Sequence, residues 1–316
     1  MIDISPAVSR LTSWCAVSQV YAQLATDRKT RVLLRSWACA DHRSRAAPLG
    51  RGGKPTPFGP FSGPGRNRSC NRNIVTIKLW PHGNLVSYQL NDAIATITMD
   101  DGKVNALSMP MFDGLNSALD RAEADGAVVV LAGREGVFSA GFDLNVLRAG
   151  GPDAPALVRT GFELGARLLA FPAPVVVACT GHAMAMGVFL LLSGDYRLGV
   201  AGPYKITANE VAIGLTMPRP AIELCRQRLT PAHFNRAVIL AEVYAPDEAV
   251  AAGFLDRAVP AEELSPAARA VAERLANLDR AAHAATKQRT RRQALFAVRQ
   301  AIEDDAQALA RALARA

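Results

Sequence analysis

Two runs, Ala127–Gly133 (AVVVLAG) and Val175–Cys179 (VVVAC), alternate no polar residue with their apolar ones. A strand that is apolar at every position must be covered on both faces. Helical spacing precedes each run. Met111–Ala124 (MFDGLNSALDRAEA) leads into the first, and a helical stretch to Leu169, broken by Pro172 and Pro174, leads into the second. Ala93–Met99 (AIATITM) alternates instead, as a half-buried strand does. Strand, helix, strand, helix in this rhythm predicts an α/β fold of βα units with mostly parallel neighbours. With 316 residues, half of them apolar, the chain can bury a large core. After Pro218 the pattern is almost wholly helical, with Thr230 (TPAHF) and Ala245 (APDEA) as cap-plus-proline starts. The last 50 residues, rich in Ala and Arg, read as amphipathic helices of the kind that pack on another subunit.

The net charge of +8 is not spread evenly. Residues 1–80 hold 13 Lys and Arg against three acids, and the remainder holds 23 against 25. The main body therefore offers no basic face for nucleic acid. Between Gly50 and Gly65, ten of sixteen residues are Gly or Pro, which cannot pack a core. Residues 1–84 are expected to be a basic, disordered extension. Targeting, or a start assigned too far upstream, are the other readings. Five scattered cysteines (15, 39, 70, 179 and 225) with no C-x-x-C pair argue against a disulfide scaffold and a structural zinc site. No apolar run reaches the ~18 residues of a membrane span, and no secretory signal is expected. The expectation is a cytoplasmic protein without bound metal.

Three segments could carry chemistry. Val137–Leu144 (VFSAGFDL) and Gly181–Gly187 (GHAMAMG) each follow a buried strand, at the end where open α/β folds bind ligands. Small residues there let backbone N–H groups approach a ligand oxygen, and two converging amides make an oxyanion hole. The same segments also read as ordinary βα turns. In Ala208–Pro218 (ANEVAIGLTMP), Glu210 lies in an apolar stretch, where it is either salt-bridged, a helix cap, or a poised general base. His182, Met184 and Met186 are weak signals, more easily read as packing. Thr180–Gly199 (TGHAMAMGVFLLLSGDYRLG) ends on a lone Asp195 after a long apolar helix, and is either plain core or the wall of a site.

Taken together, Asp101–Ser108 (DGKVNALS), Phe138–Leu144 (FSAGFDL), the Gly181 turn with its helix, and Leu240–Pro260 (LAEVYAPDEAVAAGFLDRAVP) resemble the enoyl-CoA hydratase/isomerase, or crotonase, family from about Val86 to the C-terminus. The resemblance implies a spiral of ββα units over residues 85–260. It also implies a C-terminal helical oligomerisation region over 261–316, giving a homotrimer or dimer of trimers. An acyl-CoA thioester is the implied ligand, with coenzyme A part of the substrate and no separate cofactor. By position, the backbone amides of Phe142 and Met186 are the oxyanion donors, although the family usually has glycine at the second. Ala140, Asp143, Leu144 and Asn145 fall on the thioester-binding segment, and Val104 and Ala106 on the CoA path.

Family hydratases use two glutamates on one water. Here the loop position is Glu210 and the helix position is Phe189, a pocket wall. Moving a double bond from C3 to C2 needs one base only, so the expected activity is an enoyl-CoA isomerase with Glu210 as sole proton shuttle. An enoyl-CoA hydratase of fatty-acid β-oxidation is the alternative. A non-catalytic acyl-CoA binder is the third reading, disfavoured because a pure binder has little need of that carboxylate.

Overall fold

The computed structural model describes Val75–Thr76 and residues 85–313. Apart from that dipeptide, the expectation for residues 1–84 lies outside the described residues. Strand β1 (Val75–Thr76) pairs antiparallel with β2 (Val86–Asn91), and β2 antiparallel with β3 (Ile94–Met99). From β3 the chain winds as a spiral. Its first turn adds β4 (Ala106–Leu107) and helix α1 (Met109–Ala124). The second brings β5 (Val128–Ala132), β6 (Gly136–Ser139), β7 (Gly141–Phe142), α2 (Leu144–Ala149) and α3 (Asp153–Ala170). The third contributes β8 (Val175–Cys179), β9 (Gly181–Met184) and α4 (Met186–Leu192). A fourth holds β10 (Tyr196–Val200), β11 (Ile206–Thr207) and α5 (Arg219–Arg226). Then follow α6 (Pro231–Val238), α7 (Pro246–Ala252), β12 (Arg257–Val259), α8 (Ala261–Ala276) and α9 (Arg280–Leu313).

The strands form a seven-stranded sheet in the order β1-β2-β3-β5-β8-β10-β12, parallel from β3 onward. A three-stranded sheet, β11-β9-β6, and a two-stranded one, β4-β7, are parallel throughout. The spiral of ββα turns and the mixed α/β class are therefore as the sequence implies. Strand β12 is the exception to an all-helical stretch after Pro218. Three residues are too few to declare a period, and pairing with β10 at Leu198–Val200 fixes them as a strand.

The uniformly apolar strands have two faces to fill. Val129 and Leu131 of β5, and Val175 and Val177 of β8, point into the main core with α1, α3 and α4. Val128, Val130 and Val176 point the other way, into a second core closed by Leu264, Ala268, Val271 and Ala272 of α8. Each such side chain contributes about 1.5–3 kcal/mol of burial. Helix α9 packs along α3 and α5, with Leu295, Val298 and Ile302 turned inward. Both C-terminal helices thus bury apolar surface against their own chain.

The lone Asp195 has a structural role in this packing. Its carboxylate accepts from the Val175 amide at 2.7 Å and the Lys287 ammonium at 2.6 Å, and lies 2.8 Å from the Arg291 guanidinium. It ties the start of β8 to α9. Burial pushes the Lys287 ammonium down to about 8 although the carboxylate opposes this.

Candidate active site

The first of the two turns is built on a ledge of backbone. Gly141 and Phe142 pair in register with Ala106 and Leu107. The Ala140 amide donates to Val104 O at 3.0 Å and the Asp143 amide to Leu107 O at 3.1 Å. Val104, Ala106, Ala140 and Phe142 therefore share one edge. Two side chains that sequence reasoning did not single out hold this ledge. Asn105, fully buried at φ +51°, donates from Nδ2 to Met99 O at 3.0 Å and Phe138 O at 3.1 Å. Ser139 Oγ donates to Asn105 O at 2.8 Å and accepts from the Gly141 amide at 3.1 Å. The asparagine of the Asp101–Ser108 loop is the only signal that pointed there. Asp101 closes the loop by accepting from the Lys103, Asn105 and Ala106 amides at 2.7–2.9 Å.

The second turn meets the first at Gly141. This residue adopts φ +95°, and a Cβ there would lie 3.2 Å from the Met186 amide nitrogen. Only glycine allows both the conformation and the approach. Met186 opens α4, so its N–H belongs to a helical first turn that has no acceptor within the helix. Ala185, ahead of it, takes φ +48° and ψ −127°, and its amide is held by Thr207 O at 3.1 Å. The amides of Phe142 and Met186 are thus brought to neighbouring turns, an arrangement able to hold one oxygen bearing negative charge.

Beyond the ledge, Asp143 caps α2 by accepting from the Asn145 amide at 2.9 Å. Leu144 and Asn145 are exposed on that helix. Phe189 is fully buried. It ends a run of aromatic contacts, with ring centroids 6.3 Å apart for Phe112–Phe142, 6.1 Å for Phe142–Phe162 and 5.9 Å for Phe162–Phe189. The helix position is buried and apolar.

Glu210 lies three residues past β11, whose Thr207 pairs with Met184 beside the second turn. It is 6% exposed, and its Oε2 has no hydrogen-bond partner. Burial pushes the carboxyl up to about 7, with its own backbone amide pulling weakly the other way. It is neither salt-bridged nor a side-chain cap of the short 3-10 turn that follows. A carboxyl titrating near neutrality can accept and return a proton at little cost. His182 is a structural residue: its Nδ1 accepts from the Lys205 amide at 3.0 Å and its ring meets Tyr204 edge-on. Among the described residues no three His, Cys, Asp or Glu side chains gather as a metal site, and no helix is long and apolar enough to cross a membrane.

A sequence model of the family described as enoyl-CoA hydratase/isomerase matches residues 89–315. The chain belongs to this family. It is 30% identical over 257 residues to human mitochondrial enoyl-CoA delta isomerase 1, covering 79% of each chain. Among solved structures, an enoyl-CoA hydratase/isomerase family protein from Pseudomonas syringae is 50% identical with a TM-score of 0.70, covering 71% of this chain and 97% of that one. A Mycobacterium tuberculosis protein titled enoyl-CoA isomerase is 48% identical with a TM-score of 0.68, covering 70% and 97%. A second structure of it, titled probable enoyl-CoA hydratase, is 46% identical with a TM-score of 0.70, covering 74% and 100%. The protein is thus an enzyme of the enoyl-CoA hydratase/isomerase family with the crotonase fold.

Proposed function

We propose that the protein shifts the double bond of a 3-enoyl-CoA thioester to the 2-position, with Glu210 carrying the proton. The observation behind this is the pairing of one buried carboxyl, pushed up to about 7 and without a hydrogen-bond partner at Oε2, with a phenylalanine where the resemblance puts the second glutamate. The thioester oxygen sits between the Phe142 and Met186 amides. Glu210, as carboxylate, takes a proton from C2, and the electron pair moves onto the thioester as a dienolate whose oxygen those amides stabilise. The carboxylic acid then returns the proton at C4, the double bond settles at C2–C3, and Glu210 is again a carboxylate. No water enters, which suits an aromatic wall. Ala140, Asp143, Leu144 and Asn145 follow the thioester on one side, and Val104 and Ala106 line the CoA path on the other. In this reading the enzyme is a homotrimer or dimer of trimers working in cytoplasmic fatty-acid β-oxidation, with coenzyme A entering only as part of the substrate.

Hydration of 2-enoyl-CoA is the second reading, favoured by the likeness to the mycobacterial protein named as a probable enoyl-CoA hydratase. Purified protein is to be incubated separately with 3-enoyl- and 2-enoyl-CoA and the products separated by chromatography and mass. The expected result is 2-enoyl-CoA from the first and little hydroxyacyl-CoA from the second. Efficient hydration with 3-enoyl-CoA left untouched would overturn the isomerase reading.

A further inference from the structure

Helix α5 opens without a cap of its own. Pro218 stands at the N-cap position and makes no side-chain bond there. The acceptor comes from α9, 86 residues on: the Asp305 carboxylate takes the Arg219 amide at 3.0 Å and also binds the Arg219 guanidinium. The Asp305 side chain is 12% exposed and the Arg219 side chain 56%, so the strut runs from a largely buried carboxylate to an amide and a guanidinium at the surface.

What this strut holds is the Glu210 neighbourhood. On one side of Arg219 runs the loop that begins at Glu210. Its Leu215 amide returns to Glu210 O at 2.9 Å, and Leu215 and Met217 are buried. On the other side, six residues into α5, the buried Cys225 lies close enough to Glu210 for the carboxylate charge to add to burial in raising the thiol. Helix α5 also packs on α4, which begins with the Met186 amide. The loop that carries Glu210 and the helix that walls it both end on Arg219, and Glu210 makes no side-chain hydrogen bond of its own through Oε2 to fix it. Its place is set by packing, and packing here depends on where α5 starts.

We propose that Asp305 is a positioning residue for the reaction: by fixing the first turn of α5 from α9, it sets the location of the Glu210 carboxylate and keeps water from it. This rests on the reading of Glu210 as the proton carrier. It makes the C-terminal helix part of the catalytic apparatus of its own chain.

The test compares Asp305→Asn, Asp305→Ala and Asp305→Gln in the full chain. Asn keeps an acceptor oxygen in place for the Arg219 amide and is expected to turn over close to the wild-type rate. Ala removes it, and kcat is expected to fall about 10- to 100-fold with KM changed less than about twofold, the pattern of a misplaced reacting group. The Glu210 carboxyl stretch, identified in infrared difference spectra as the band that Glu210→Gln lacks, is expected to titrate lower in the Ala variant as water reaches the group. Should Ala fail to fold, Gln, whose acceptor sits one methylene further out, shows the same changes in weaker form. An Ala or Gln variant that melts lower but keeps its kcat and its Glu210 band overturns the proposal, as does equal kcat in Asn and Ala. The band reads Glu210 whichever enoyl-CoA reaction the enzyme performs, so failure here is distinguishable from failure of the isomerase reading.

Discussion

Gly141 and Ala185 stand so close that a Cβ added to Gly141 would lie 2.8 Å from the Cβ of Ala185. The two turns, 44 residues apart in sequence, touch here at a residue that has no side chain. Gly141→Ala is therefore expected to push the turns apart, and the positive φ adds strain whatever room is made. Separating the two amides should lower kcat/KM by about 10²–10³-fold, the loss typical of one oxyanion donor. Steady-state kinetics check this against a melting curve. A folded variant with wild-type kinetics would show that the two amides do not act together.

In the proposed mechanism Glu210 links activity and stability to pH in opposite senses. Its folded pKa of about 7 lies above the ordinary 4.5, so the folded state holds this proton more tightly than the unfolded one. Stability from this group is complete below about pH 4.5, falls through the window up to 7, and stays low above it. The charged form costs up to about 3 kcal/mol at pH 8, less whatever relaxation recovers. Glu210→Gln removes that titration and is expected to melt higher than wild type at pH 8, with the gain gone near pH 4.5. The same variant should lose about 10²–10⁴-fold in turnover, the range for a positioned general base. Wild-type kcat/KM should rise with pH through about 7 as the carboxylate forms. A flat profile, or a fully active Gln variant, would remove Glu210 from the mechanism.

Local patterns in the chain were enough for the α/β class, and the spiral came with the family resemblance. The apolar runs of β5 and β8 and the helical spacing of α1 and α3 each fit inside one window, and four ordered segments carried the family likeness. What stayed hidden was held by partners far away in sequence. Strands β4, β7 and β11 have two residues each and exist only through pairing. Asn105 looked like one letter of a loop until it reached Met99 O and Phe138 O across a turn of the spiral. Glu210 was visible as a carboxylate in apolar surroundings, but whether it was paired needed the structure. Asp195 read as a stray acid because its cations lie 92 and 96 positions later, on α9.

Those cations make Asp195 a sensitive point. Asp195→Ala would leave Lys287 and Arg291 buried beside a lost countercharge and the Val175 amide without its acceptor. The expected cost is about 3–5 kcal/mol, read from denaturant midpoints. Lys287→Met should cost less, since Asp195 keeps Arg291 and the amide while the apolar stem is preserved. Equal losses in the two variants would mean that the ion pair, and not the stranded charges, sets the stability.

In the proposed mechanism Phe189 sets what the site does with water. It is fully buried and leans on Phe162 at 5.9 Å, at the position where the resemblance puts the second glutamate of a hydratase. Phe189→Glu supplies that carboxyl, but at a price in packing: losing a buried aromatic side chain removes about 3–5 kcal/mol, and the new group is desolvated. Burial raises its pKa and so favours the neutral acid, which can donate as well as orient. On the proposed reading, a carboxyl here gives an entering water a second partner besides Glu210. The expected outcome is a hydratase-to-isomerase ratio raised about tenfold or more while total turnover falls, about the size of one added acid–base interaction. Phe189→Gln is the control, since it brings similar bulk and polarity but no proton, and the ratio should then stay near that of the wild type. Both variants are to be compared at a temperature where circular dichroism shows them folded. A folded Phe189→Glu protein with an unchanged ratio would mean that the aromatic side chain at this position does not determine which reaction the site performs.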